Sequence, residues 1–349
     1  MVILDYKDIE RVQWDRLVRE SETGNWFQTP EAFEFFESMP DLFRPFVIGV
    51  ASNLSSPQGG GGRLLLRAVC VGYVTVERNP IKQFLTRRAI IIGGPCLADD
   101  CTDEEVMALL CALKSTLLSG REGVGSPIYI ETRNFNDYSK WKEAFKKAGF
   151  SYQPHLNFHV HTNQPWDDIE TNIGKHRKKY IRLSFRDGAT IEENPTIDQV
   201  RAYYEILLEL YRTKVKMPLQ PWSFFEKLYH LDSCKYLLVM YEGQVVGGSI
   251  CMLLPGRGVY EWYACGKDGV FKNIHPSSVT KYAGMKYASD NGYAVFDMMG
   301  AGKPDEEYGV RDFKAEFGGE LVEQGRFFYL SNPILYKIGA LGVKILKMK

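Results

Sequence analysis

Between Lys175 and Arg186 the sequence KHRKKYIRLSFR carries six lysines and arginines, one histidine and no acid. Wound as an α-helix at about 100° per residue, Lys175, Lys178, Lys179, Arg182 and Arg186 share one face, and Arg177 lies apart. Like charges spaced i,i+4 repel by a few tenths of a kcal/mol, and no acid on this helix offsets them. Such a face serves either solvent or an anion, and the missing acids favour the anion. Arg182 and Arg186 can each grip a phosphate with two parallel N–H donors. One helix face suits a diphosphate better than a long polyanion. Ile169, Ile173, His176, Tyr180 and Leu183 form the opposite stripe, expected to pack on the domain.

Other residues offer chemistry at strand positions. Asp297 ends the apolar run YAVFD before MMG; it can accept a proton from an attacking nucleophile or cap the glycine turn. Tyr260, Trp262 and Tyr263 lie on one strand. Alternation puts Tyr260 and Trp262 on the same face, to stack on a ligand or to fill a core. His155, His159 and His161 share a face of another strand, opposite Leu156, Phe158 and Val160. One strand face does not converge three metal ligands with their outer partners, so a solvent-facing polar face and no metal are expected. The sequence contains no nucleophile elbow, zinc-binding His-Glu helix, Walker loop or dinucleotide fingerprint.

These residues need a scaffold of 349 residues, long enough for two domains. With 43 basic and 43 acidic side chains the chain is neutral, which argues against a general nucleic-acid binder but allows a local anion site. Seven cysteines without a CxxC sit mostly in apolar runs and read as buried thiols in a reducing, cytoplasmic compartment. The first residues lack the pattern of a signal peptide, and no apolar run is long enough to span a membrane. The basic, apolar tail YKIGALGVKILKMK is expected to dock as a helix, with peripheral contact to the inner membrane face as the alternative. Each half reads as helices, a strand meander, then strand–helix–strand: a mixed α/β fold of two duplicated domains. The expected limits are 1–153 and 154–329, with 330–349 packing back on the first.

The second half has the element order of a GNAT acyltransferase core. Where acetyl-CoA-dependent members carry a glycine-rich basic loop ahead of a helix, KDGVFKNIHPSSVTKYAGM offers one early glycine, Gly269, and no such motif. Four stretches complete a resemblance. NWFQTPEAFEFFES, KHRKKYIRLSFRDGATIEE, VVGGSICMLLPGRGVYEWYACGK and YAVFDMMGAGKPDEEYGVRDFKAEFGGELVE resemble the motifs of the FemABX-type aminoacyltransferases, the tandem-GNAT enzymes of peptidoglycan bridge formation. The compact branch is implied, since the helical-hairpin insertion is absent.

The resemblance implies transfer of an amino acid from aminoacyl-tRNA to an amine of a nucleotide- or lipid-linked stem peptide, without metal or redox cofactor. It implies that the basic helix holds the precursor's diphosphate. It also implies that Phe313 and Lys314 form the family's FK pair, with the Lys314 ammonium stabilising the tetrahedral oxyanion. The early motif departs from the family: a lysine expected after it is replaced by EAFEFFES. Two alternatives stand beside this reading. One is an acyl-CoA-dependent N-acyltransferase acting on a small amine or sugar. The other is a non-catalytic tandem-GNAT binding protein.

Overall fold

The computed structural model describes residues 1–53, 64–120 and 125–339. The chain forms two compact units, 1–155 with 323–349, and 156–322. Residues 323–329, expected in the second domain, belong to the first, because strand Arg326–Leu330 pairs with Tyr129–Asn134 and Ser151–Gln153. Helix 333–339 follows it, and Tyr336 packs edge-on against Tyr129 and Phe328. The rest of the tail, expected to dock as a helix with membrane contact as the alternative, lies outside the described residues.

The two sheets have matching strand orders. The first runs Val2–Leu4, Phe43–Asn53, Leu64–Thr75, Ala89–Gly93, Tyr129–Asn134, Arg326–Leu330, Ser151–Gln153. The second runs Thr190–Glu192, Cys234–Tyr241, Gln244–Leu254, Gly258–Gly266, Val295–Gly300, Leu156–His161, Glu320–Glu323. Each begins as a four-strand antiparallel meander and continues into a parallel neighbour. The connection to that neighbour carries a helix, Asp103–Leu118 or Pro276–Asp290. In the first sheet the sixth strand, Arg326–Leu330, comes from beyond the second unit in sequence.

Local sequence explains the helix starts. Thr102 accepts from the Glu105 amide while Glu105 accepts from the Thr102 amide, a reciprocal cap. Thr29 caps the helix that opens with Pro30. Strand Gln244–Leu254 is buried from Val245 onward; a strand covered on both faces needs an apolar residue or glycine at nearly every position, and VVGGSICMLL supplies them.

The sheets differ at one place. In the first, the parallel pair holds register over five residues, Ala89–Gly93 against Ile130–Asn134. In the second, register lasts only from Gly258/Val295 to Tyr260/Asp297, after which the strands part. The first sheet is also closed by Gln28: its Nε2 donates to the Val71 and Ile92 carbonyls at 3.0 and 2.9 Å, and its Oε1 accepts from the Val71 amide at 2.8 Å. Gln28→Leu leaves these buried backbone groups unpartnered and should cost about 2 kcal/mol in urea unfolding; an unchanged midpoint would contradict this bridging role. Of the two parallel pairs, the one that parts early is therefore in the second sheet.

Candidate functional site

The basic segment and the parted strands both belong to the second unit. The expected stripe from Ile169 to Leu183 needs one continuous helix, but the helix is broken: Trp166–Asn172 stops, and Lys175–Arg186 starts after Ile173–Gly174. The Gly174 amide donates to the Glu316 carbonyl at 2.8 Å, and a Cβ there would stand 3.2 Å from that oxygen. The break shifts the packing stripe. Ile169, Ile173, Ile181 and Ser184 are buried, whereas His176 is exposed. Tyr180 stacks on His275 with ring centres 3.9 Å apart.

The expected cationic face survives this shift, because it lies wholly within the second helix. Lys175, Lys178, Lys179, Arg182 and Arg186 line one cavity of about 430 Å³, joined by Leu183. Lys178 donates to the Thr171 carbonyl at 2.9 Å, and Arg186 pairs with Asp187 at 2.7 Å. Lys175, Lys179 and Arg182 make no ion pair or side-chain hydrogen bond among the described residues. Arg177 points the other way. It pairs with Glu316 at 2.8 Å and lies 4.4 Å over the Phe313 ring. Phe313 thus anchors the basic helix through Arg177, and this contact gives it no reacting atom.

Where the strands part, ionisable groups collect. Asp297, 1% exposed, accepts from the Met299 amide through Oδ1 at 2.6 Å, so it does cap the turn. Its Oδ2 makes no hydrogen bond and lies 3.4 Å from Nε2 of His159, the residue facing it in the neighbouring strand. His159 is therefore not on a solvent-facing row. Burial opposes its protonation, but the Asp297 carboxylate and its contact, with Glu320, outweigh burial and raise the imidazole above its ordinary value. His161 pairs with Glu320 at 3.0 Å, and His155 meets Arg326 at 2.8 Å.

Lys314 sits on helix Gly309–Ala315 and is buried. Its ammonium donates to the carbonyls of Met298, Met299 and Gly300 at 2.6, 3.2 and 2.9 Å. Burial lowers it to about 8, with Asp297 opposing that fall. Three carbonyl acceptors match the three donors of an ammonium, so this group is committed to the backbone around Met299, whose φ of 57° is the left-handed region. An ammonium so engaged is a tether for the strand end; it has no donor left for an oxyanion.

The aromatic trio is also rearranged. The ladder between Gln244–Leu254 and Gly258–Gly266 shifts at Ile250/Cys251, so that Ile250 faces Tyr263 and Cys251 faces Glu261, with Trp262 at the bulge between them. Trp262 and Tyr263 both pack against Phe224, and Tyr263 against Phe225. Tyr260 is buried. Trp262 and Tyr263, both half-buried, pack under helix Trp222–Tyr229. Between Tyr260 and Trp262, Glu261 forms a buried ion pair with Lys281. Burial and the neighbouring Lys314 charge push the Lys281 ammonium far below its usual range. An acid inside the apolar run VYEWYACG was the available signal for Glu261. Nothing in the sequence joins His159 to Asp297, whose meeting depends on strand register.

Residues 241–343 match the FemAB family model; the basic helix and the NWFQTP stretch lie outside that match. No curated protein matches the chain. A crystal structure of FemX aligns over 97% of this chain and 99% of its own, with a TM-score of 0.70 at 16% identity. The C-terminal domain of a putative lysylphosphatidylglycerol synthetase from Agrobacterium fabrum covers 96% of each chain, at TM-score 0.56 and 12% identity. A tandem GNAT protein from the clavulanic acid biosynthesis pathway covers 95% of this chain and 99% of its own, at 0.56 and 8%. These likenesses concern the fold. Together with the family match over the parted strands, Asp297 and Lys314, they show a fold like that of FemX and the tandem GNAT protein, with a FemAB-like segment at 241–343.

Proposed function

We propose that the protein is an acyltransferase that moves an aminoacyl group from aminoacyl-tRNA to an amine of a nucleotide- or lipid-linked cell-wall precursor. The observation that carries this reading is the face of five cations lining one cavity, three of them without an ion pair or side-chain hydrogen bond among the described residues. Cations left unpaired on one helix are stabilised by a bound diphosphate. The parted strands of the same unit would receive the reacting groups, and the Lys314 tether would keep their backbone in place. No helix of the described residues is long and apolar enough to cross a membrane. Cytoplasmic action, with any membrane contact peripheral, fits the proposed donor.

An acyl-CoA donor is less well served. In the GNAT arrangement a pyrophosphate would use free amides at the start of helix Pro276–Asp290. Here the Ser277 amide already donates to Asp268 Oδ1 at 3.2 Å, and that carboxylate opposes an anion. The test is calorimetry with UDP and with acetyl-CoA. The expected result is salt-sensitive UDP binding and no acetyl-CoA binding. Micromolar acetyl-CoA binding without tRNA-dependent transfer would overturn the reading.

A further inference from the structure

We infer that His159, held by Asp297, is the catalytic base that takes the proton from the acceptor amine. The inference rests on the acyl-transfer reading and adds a residue to it. An amine on a stem peptide is an ammonium near neutral pH, and an ammonium cannot attack a carbonyl. One proton must leave before the nitrogen–carbon bond forms. As that bond forms, the ester carbon–oxygen bond breaks, and the nitrogen's second proton passes to the leaving ribose oxygen. The sum is one amide, one alcohol and one proton released per ammonium consumed, so the site needs one acceptor that can return its proton to water.

Asp297 alone does not fill that role. Its side chain is 2% exposed, one oxygen caps Met299, and the other faces His159. His159 fits better. Its side chain keeps 13% exposure while Nε2, the atom nearest Asp297, is buried; the exposed part of the ring is elsewhere. A sealed carboxylate behind a partly exposed imidazole orients the ring and increases its basicity. The charged groups around the pair are Glu320 on the neighbouring strand, which favours the imidazolium, and Lys314, which faces Asp297. The pair stands at the last shared register position before the two parallel strands separate.

The test measures transfer from aminoacyl-tRNA by the whole chain, from about pH 5 to about pH 9, for the wild type, His159→Gln and Asp297→Asn. His159→Gln should lose about 10²-fold near neutral pH, with the deficit shrinking as pH rises and more of the amine is already free. Asp297→Asn should move the acid limb of the wild-type profile to lower pH, because it removes the charge that raises the imidazole. An NMR titration of the His159 ring should show the same downward move. UDP affinity, read in parallel, should stay within about twofold in both variants, since the cations are untouched. A wild-type rate in His159→Gln, or an equal loss at every pH, overturns the inference while the transfer reading stands. A wild type with no transfer refutes the reading, and the inference with it. Should His159→Gln lose UDP binding as well, the wild-type and Asp297→Asn titrations decide, and an unmoved inflection overturns the inference.

Discussion

Replacing Lys314 with methionine should lower unfolding free energy by about 3 kcal/mol, a fall of about 6–12 °C in the Tm of the unit that contains it. Methionine keeps much of the length and fills the volume, so cavity formation contributes little. The loss comes from the three carbonyls of Met298, Met299 and Gly300, which share one ammonium; that of Met298 is buried and would be left without this donor. Removing a buried charge returns part of its desolvation cost, which is why the expected loss is smaller than three charged hydrogen bonds would give. The pH dependence follows with a definite sign. The lysine falls to about 8 in the fold, from its ordinary 10.5, so between those values the unfolded chain binds more protons than the native one. Stability of the wild type relative to Lys314→Met should therefore rise with pH across that window. A purely catalytic lysine would behave otherwise: the variant would keep its Tm and lose only rate.

Reversing charge at Lys179 and Arg182 together should weaken UDP binding about 10³-fold, because two charge-assisted contacts are lost and two repulsions replace them. These two are the informative positions. Arg186 already has Asp187 at 2.7 Å, and Arg177 is turned inward on Phe313 and Glu316. Calorimetry at two salt concentrations checks the result, since the wild-type affinity should fall with salt and the variant's residual affinity should not. Binding that survives the double reversal would make the cationic face a solvated surface. The substitutions lie on exposed positions, so the fold should change by less than about 0.5 kcal/mol.

The cationic face was legible in the sequence because it depends only on helical spacing over three turns. The packing stripe was not, because it ran across Gly174, where a backbone contact with Glu316 ends one helix and starts another; the charged run continues past the glycine without marking the break. The Tyr260/Trp262 alternation failed for a similar reason, a one-residue bulge that strand periodicity cannot reveal. The mixed α/β tandem fold was readable from the repeated element order. The opening between Gly258–Gly266 and Val295–Gly300 was not, since it depends on how far a parallel register extends. Lys314 was singled out by resemblance, but its role as a tether depends on a turn formed by residues 298–300. The His159–Asp297 pair is a product of strand register between distant segments, and local pattern contains no trace of it.

The proposed reaction passes an aminoacyl group to an amine of a diphosphate-bearing precursor. The most direct measurement incubates the protein with charged tRNA and a nucleotide-linked stem peptide and follows the peptide by mass spectrometry. The expected product is heavier by one aminoacyl residue, formed from aminoacyl-tRNA and reduced by the Lys179 and Arg182 reversals. A precursor of unchanged mass, or modification supported by acyl-CoA in place of aminoacyl-tRNA, would contradict it.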